Sequence, residues 1–109
     1  MNDLSAIKKK MATTNKDSPL NQVEYNTLGL SIDSLKNLNI IKKPDLLKID
    51  VDGTEVDIIE GCQNTIKESK RISILIETSE ETESSIKKTF TSLGLTKKSQ
   101  TRNNEIWEK

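Results

Sequence analysis

The sequence predicts an α/β fold built on a largely parallel sheet, and three observations carry that expectation. Two near-continuous apolar runs, residues 45–51 (DLLKIDV) and 72–77 (ISILIE), have the length and composition of strands covered on both faces. Between them, residues 55–69 place Ile58, Ile59, Cys62 and Ile66 at the three- and four-residue intervals of an amphipathic helix. The connections are short, so strand, helix and strand form a right-handed crossover with the two strands parallel.

The elements follow in order. Residues 1–27 are polar and weakly patterned; Leu4, Ile7 and Met11 have the spacing of one helical face, and residues 15–19 (NKDSP) read as a turn. In LGLSIDSLKNLNI, Ser31 stands where an N-cap opens a short helix carrying Ile32, Leu35 and Leu38. Pro44 halts what precedes it, because the residue before a proline avoids helical backbone angles. In the strand that follows, Leu46 faces one side and Leu47, Ile49 and Val51 the other, and Gly53 ends the run. After the second strand, residues 84–93 set Ile86, Phe90 and Leu93 at helical spacing, and Gly94 supplies the stop. Two short strands, residues 95–99 and 105–107, joined by the polar turn 100–103, pair as a hairpin and set one antiparallel strand in an otherwise parallel sheet. Phe90 and Trp107 are expected in the core. The chain thus divides into a poorly patterned segment, 1–27, and one α/β unit, 28–109.

Composition narrows the chemistry. With 109 residues the chain holds at most one domain. Lys+Arg 17 balances Asp+Glu 17, and aromatics are 3%, so there is neither the basic field nor the stacking platforms of a nucleic-acid binder. No apolar run approaches the roughly 18 residues of a membrane span, and Lys8-Lys9-Lys10 has no hydrophobic region after it, so a soluble cytoplasmic protein without membrane or nucleic-acid partners is expected. The absence of histidine removes Ser-His-Asp and Cys-His catalysis and every His-based zinc site. The single cysteine, Cys62, falls on the buried face of the first long helix and reads as a small core residue rather than a nucleophile.

The chemistry-bearing stretch is KIDVDGTE, residues 48–55. Its letters DxDGT resemble the first motif of phosphatases of the haloacid dehalogenase type, in which two aspartates and a phosphate need Mg²⁺ held by further aspartates on a later strand. No aspartate follows Asp57, and Glu55 stands where that family usually has an apolar residue, so the phosphatase reading is weak. A calcium loop counted from Asp50 needs Gly at its sixth position and Glu at its twelfth, and finds Glu55 and Gly61.

The wider stretch PDLLKIDVDGTEVDIIEGCQNTI resembles the signature of the FkbM family of S-adenosylmethionine-dependent methyltransferases. The correspondence takes in Lys48, Ile49, Asp50, Val51, Asp52, Gly53, Glu55, Ile58-Ile59 and Gly61-Cys62, with Asp52 where the family usually has Glu and Cys62 where it usually has Ala. SIDSL (31–35) is similar to the family's T-L-D-x-L segment, and ILIE (74–77) to its following strand. The resemblance runs from about residue 25 to the C-terminus. It implies a partial class I methyltransferase sheet of Rossmann-like type, with residues 46–51 as the fourth strand, 72–77 as the fifth, and the terminal pair as the sixth and the antiparallel seventh.

The resemblance also implies what the chain lacks. The family holds its cofactor through a glycine-rich turn after the first strand and an acidic residue ending the second, whereas glycine occurs here only at 29, 53, 61 and 94, with no G-x-G turn. The expectation is the C-terminal half of a methyltransferase domain: S-adenosylmethionine is the cofactor of the complete fold, with no cofactor-binding residue, no metal site and no activity in this chain alone. A non-catalytic remnant or assembly module is the alternative. Without the first strand, the fourth keeps an open edge, which leads to an expectation of self-association through that edge.

Ligands of open α/β sheets sit beyond the carboxyl ends of the strands, where Asp50, Asp52 and Glu77 fall. In the complete enzyme the family acts on a small molecule, here expected to be a sugar or other hydroxylated metabolite, and a carboxylate beside the acceptor hydroxyl orients it and takes its proton. Asp50 and Asp52 are the candidate catalytic acids: next-but-one neighbours share a face while the strand persists, and two acids that close raise one pKa. Glu55 and Glu77 are candidate substrate-binding residues, although Glu55 also suits the first turn of a helix, where the macrodipole favours a carboxylate. Gly53 is expected to supply a backbone conformation closed to other residues, and Gly61 to let the helix lie close to the sheet.

Overall fold

The computed structural model describes residues 24–109. The expected helical face of Leu4, Ile7 and Met11 and the turn at 15–19 lie outside the described residues. In chain order the elements are α1 (Ile32–Asn37), β1 (Leu46–Ile49), α2 (Glu55–Glu60), α3 (Gln63–Glu68), β2 (Ser73–Glu77), α4 (Glu83–Ser92), β3 (Thr96–Thr101) and β4 (Asn104–Glu108). The four strands form one mixed sheet in the order β1-β2-β4-β3. β1 and β2 are parallel, with Ile49 beside Ile76, and β4 runs antiparallel to both β2 and β3. The chain is therefore α/β as expected, with the antiparallel strand inserted between its neighbours rather than appended at the edge.

Both crossovers, β1 to β2 and β2 to β3, advance in the same direction across the sheet. Right-handed connections then put α2, α3 and α4 on one face. The burial pattern agrees: Ile49, Ile74, Ile76, Glu105 and Trp107 point into the core with Ile59, Ile66, Ile86 and Phe90 from the helices. Phe90 and Trp107 meet edge to face, ring centroids 5.4 Å apart. The opposite face carries Leu46, Lys48, Leu75 and Ile106, of which Leu46 is 67% exposed. This corrects the expectation of a sheet covered on both faces. The apolar run in β1 suits such a sheet, but among the described residues helices cover only the side of Leu47 and Ile49.

A second correction concerns residues 55–69, which form two short helices rather than one. The break falls at Gly61 and is joined by a contact from upstream. In a continuous helix the Thr65 N–H donates to the Gly61 carbonyl. Here that carbonyl accepts the N–H of Asp33 at 3.0 Å, while the Asp33 carboxylate takes the N–H of Thr65 at 2.8 Å and that of Asn64 at 3.2 Å. One residue of α1 has thus been inserted into the hydrogen-bond ladder, which is a recognised origin of a helix kink. α1 itself opens at Ser31, whose hydroxyl accepts the N–H of Ser34 at 3.0 Å.

At the other end, Gly94 follows α4 with φ +88°, the left-handed angle of a helix-ending glycine, and the Leu95 N–H returns to the Phe90 carbonyl at 2.9 Å. Lys109 closes α3 by donating from Nζ to the carbonyls of Ile66 and Lys67, both at 3.1 Å. Buried Glu105 accepts from the Trp107 indole N–H at 2.8 Å and from the Thr78 hydroxyl at 3.2 Å, with the Lys97 ammonium at 3.8 Å. No helix among the described residues is long and apolar enough to cross a membrane.

Candidate functional site

β1 and β2 end side by side. One step past Ile49 the chain leaves the sheet with Asp50, while one step past Ile76 stands Glu77, the last residue of β2, still paired with Asn104 of β4; both carboxylates are exposed at the carboxyl ends of adjacent strands. From Asp50 the chain passes through Val51 and exposed Asp52 to Gly53, where φ reaches +89°. No atom lies within 4 Å of where a Cβ on Gly53 would stand, so at this turn the backbone angle, not space, selects glycine.

β1 stops at Ile49, two residues short of the expected end. Asp50 and Asp52 therefore do not alternate along a strand, and the shared-face argument for coupling them fails. The physical reason is local: the chain turns at Gly53 to start α2 at Glu55, and the two residues after Ile49 have already left the ladder.

Glu55 is buried and folds back, its Oε1 accepting the Gly53 N–H at 3.4 Å, a long contact. It occupies the first turn of α2, as the helix-dipole reading anticipates, and it braces the acidic loop from within. Gly61 caps α2, and its carbonyl is directed to Asp33 of α1.

Among the described residues, no three His, Cys, Asp or Glu side chains are grouped as a metal site. A groove of about 180 Å³ lies between α2 and α4, lined by Val56, Ile59, Glu60, Gln63, Ile86 and Thr89 among others. None of Asp50, Asp52, Glu55 or Glu77 borders it. The acidic loop has one glycine, Gly53, and no glycine-rich turn occurs among the described residues. What the arrangement offers is a rim of carboxylates able to accept hydrogen bonds, and a proton, from hydroxyl groups.

Two residues to which the sequence pattern assigns no role tie the surrounding elements together. Asp33, the acid of SIDSL, joins α1 to α3. Glu105 ties β4 to Thr78, the residue after Glu77. The only signal for Glu105 is its alternation in phase with Trp107, which places a carboxylate on the core face.

Cys62 is fully buried, its thiol donates to the Ile59 carbonyl at 3.3 Å, and burial, aided by the nearby Asp33 charge, pushes its pKa from 9.0 up to about 12. It is a core thiol. In the folded chain, alkylating reagents are expected to leave it unmodified at mildly alkaline pH and to modify it once denaturant is added. The raised value also sets a direction for stability. The thiol is protonated in both states below 9.0, and between 9.0 and about 12 only the unfolded chain ionises. Stability is therefore lost as pH rises through that window, by up to about 1.4 kcal/mol per pH unit. Denaturant midpoints of the chain and of Cys62→Ala, compared from neutral to alkaline pH, isolate this component. Parallel pH profiles, or rapid alkylation of the folded chain, are the contrary outcomes.

The model of a protein family described as the methyltransferase FkbM domain matches residues 3–100. The match begins upstream of the motifs quoted above and ends before β4. No curated protein and no solved structure matches the chain.

Proposed function

Because the chain belongs to the FkbM methyltransferase domain family, we propose that its acidic loop is the acceptor-side rim of an O-methyltransferase that modifies a sugar or other small hydroxylated metabolite. The observation that carries this reading is the position of the carboxylates. Asp50 follows the end of β1 and Glu77 ends the adjacent β2, Asp52 follows Asp50 in the same loop, and Glu55 supports that loop through Gly53. In this reading β1, β2, β3 and β4 correspond to the fourth, fifth, sixth and antiparallel seventh strands of a class I sheet. The order β1-β2-β4-β3 supports that correspondence.

Asp50 or Asp52 orients the acceptor hydroxyl and takes its proton, and Glu77 accepts a hydrogen bond from a neighbouring hydroxyl. Gly53 sets the turn that holds the two aspartates beyond the strand. S-adenosylmethionine is the donor the family implies. Its binding elements, a glycine-rich turn and a ribose-binding acid, are not among the described residues, so the roles of Asp50, Asp52 and Glu77 concern the acceptor side alone.

The test uses the chain itself. Polyhydroxylated sugars are expected to shift the backbone amide resonances of residues 50–55 and 77, and Asp50→Asn with Asp52→Asn to abolish the shifts while the remaining resonances stay in place. S-adenosylmethionine is expected to give no measurable heat of binding in calorimetric titration. Micromolar binding of the cofactor by this chain would overturn the half-domain part of the proposal, and sugars that leave residues 50–55 unmoved would overturn the acceptor rim. A phosphatase remains the weakest reading. With Mg²⁺ and an aryl phosphate, turnover abolished by Asp50→Asn would restore it.

A further inference from the structure

The balance of charge over the whole chain conceals two unlike ends. At the carboxyl ends of β1 and β2, and in the segment that leads on to α4, Asp50, Asp52, Glu77, Glu80 and Glu81 are exposed. The opposite end of the sheet, where β1 and β2 begin and β4 finishes, is basic. The Ser73 N–H donates to the Asp45 carbonyl at 2.9 Å, which sets the loop of Lys42 and Lys43 beside the start of β2. Lys109 exchanges backbone hydrogen bonds with Ile72, the residue after Arg71, and its Nζ reaches the carbonyls of Ile66 and Lys67 at the end of α3. Lys42, Lys43, Lys67, Lys70, Arg71 and Lys109 thus share one end of the fold. Of the carboxylates there, Asp45, Glu68 and Glu108, Glu68 is already paired with Lys36.

Distance keeps the two fields apart. From Ile72 to Glu77 the extended chain climbs about 16 Å, twice the roughly 8 Å over which salt screens charge at physiological strength. A surface that meets the basic end therefore feels little of the acidic one. Lys42, Lys43, Lys70 and Arg71 are exposed, and none has a side-chain hydrogen bond or ion pair among the described residues. A second observation is independent of charge: the loop between α1 and β1 exposes two aliphatic side chains, Leu38 at 62% and Ile40 at 61%, just before Lys42 and Lys43.

We propose that this end of the fold is a docking surface for an anionic lipid bilayer. Exposed aliphatic side chains interleaved with cations suit a peripheral membrane contact, in which lysine and arginine meet lipid phosphates while the apolar groups enter the headgroup boundary. A nucleic acid would use the cations but neither Leu38 nor Ile40, and no aromatic residue for stacking occurs in the segments that form this end, 36–46 and 66–73. The docked chain holds its carboxylates at the far end of the sheet, away from the like charge of the lipid. The proposal goes beyond the methyl-transfer reading and does not depend on it.

The experiment is co-sedimentation of the full chain with vesicles of phosphatidylcholine containing phosphatidylserine, and with vesicles of phosphatidylcholine alone, at low and at physiological salt. Binding is expected to the anionic vesicles only, and to weaken as salt rises. Each cation at such a surface contributes about fivefold, so Lys70→Glu with Arg71→Glu is expected to weaken binding by about 25-fold or more. Lys98→Glu with Arg102→Glu makes the same change in net charge outside the basic end and is expected to weaken it by no more than about threefold. Leu38→Ser with Ile40→Ser is expected to cost about tenfold, alike at both salt concentrations. All six positions are exposed. A thermal melt verifies that each variant folds, and Lys70→Gln and Arg71→Gln singly replace the double reversal if it does not. Absence of binding to the anionic vesicles, equal binding to both kinds, or equal loss in the two charge-reversed variants overturns the proposal. So does indifference to the serine replacements, or a chain that binds a DNA duplex and not the vesicles.

Discussion

Replacing Phe90 by alanine is expected to lower the stability of the chain by about 3–5 kcal/mol. The ring is fully buried, packs edge to face on Trp107, and occupies the middle of the core between α4 and the sheet. Its loss removes apolar burial and leaves a cavity that the rigid strand behind it cannot close. A domain of this size has total stability of only about 5–15 kcal/mol, so the variant sits near its folding threshold at ordinary temperature. Phe90→Leu keeps most of the volume and is expected to lose less than half as much. Trp107 is the single tryptophan, so its fluorescence during denaturation reports on the same contact. A shift below about 1 kcal/mol for Phe90→Ala would mean that the core is organised elsewhere.

The strands and α4 were legible because their signals are local. The runs at 45–51 and 72–77 and the spacing of Ile86, Phe90 and Leu93 each sit within one element, and Gly94 marks a stop that only a left-handed backbone angle satisfies. The break between α2 and α3 was not legible. Gly61 disfavours a continuous helix between Glu55 and Ser69 by about 1 kcal/mol without forbidding it, and the carboxylate that takes over the ladder, Asp33, belongs to a different element. The single covered face was hidden for a related reason. Leu46 and Leu75 look the same in a sequence whether a second layer covers them or not, and coverage is a property of what packs there.

At the candidate site, the sequence pattern found the acids but not their arrangement. Asp50 and Glu77 follow from the register of β1 on β2, which two strand assignments come close to implying. The return of Glu55 to the Gly53 N–H depends on the turn, and so does the departure of Asp50 and Asp52 from the strand. Letters alone suggested a paired-carboxylate dyad. The fold instead sets Asp50 one residue past the end of β1, Asp52 in the loop that follows, and Glu77 at the last paired position of β2.

Removing the Asp33 carboxylate is expected to destabilise the chain by about 2–3 kcal/mol, although the residue belongs neither to the core nor to the acidic loop. Its two oxygens accept three hydrogen bonds, from the Asn64 N–H, the Thr65 N–H and, at 2.6 Å, the Thr65 hydroxyl. The donors lie at the start of α3, where a negative charge is favoured and where the N-cap residue, Cys62, supplies no side-chain acceptor of its own. Asn64 is exposed and recovers a partner from water in Asp33→Ala. Thr65 is fully buried and does not, so most of the loss falls on it. Asp33→Asn retains one acceptor without the charge and is expected to lose about half as much. A double-mutant cycle with Thr65→Ala separates the contact from general loosening, with an expected coupling of about 1–2 kcal/mol. A second readout is independent of stability. Asp33 helps burial to raise the Cys62 pKa, so Asp33→Asn should lower that value while burial still holds it above 9.0. Additive effects in the cycle, together with an unchanged thiol titration, would show that α1 does not cap α3 through this carboxylate.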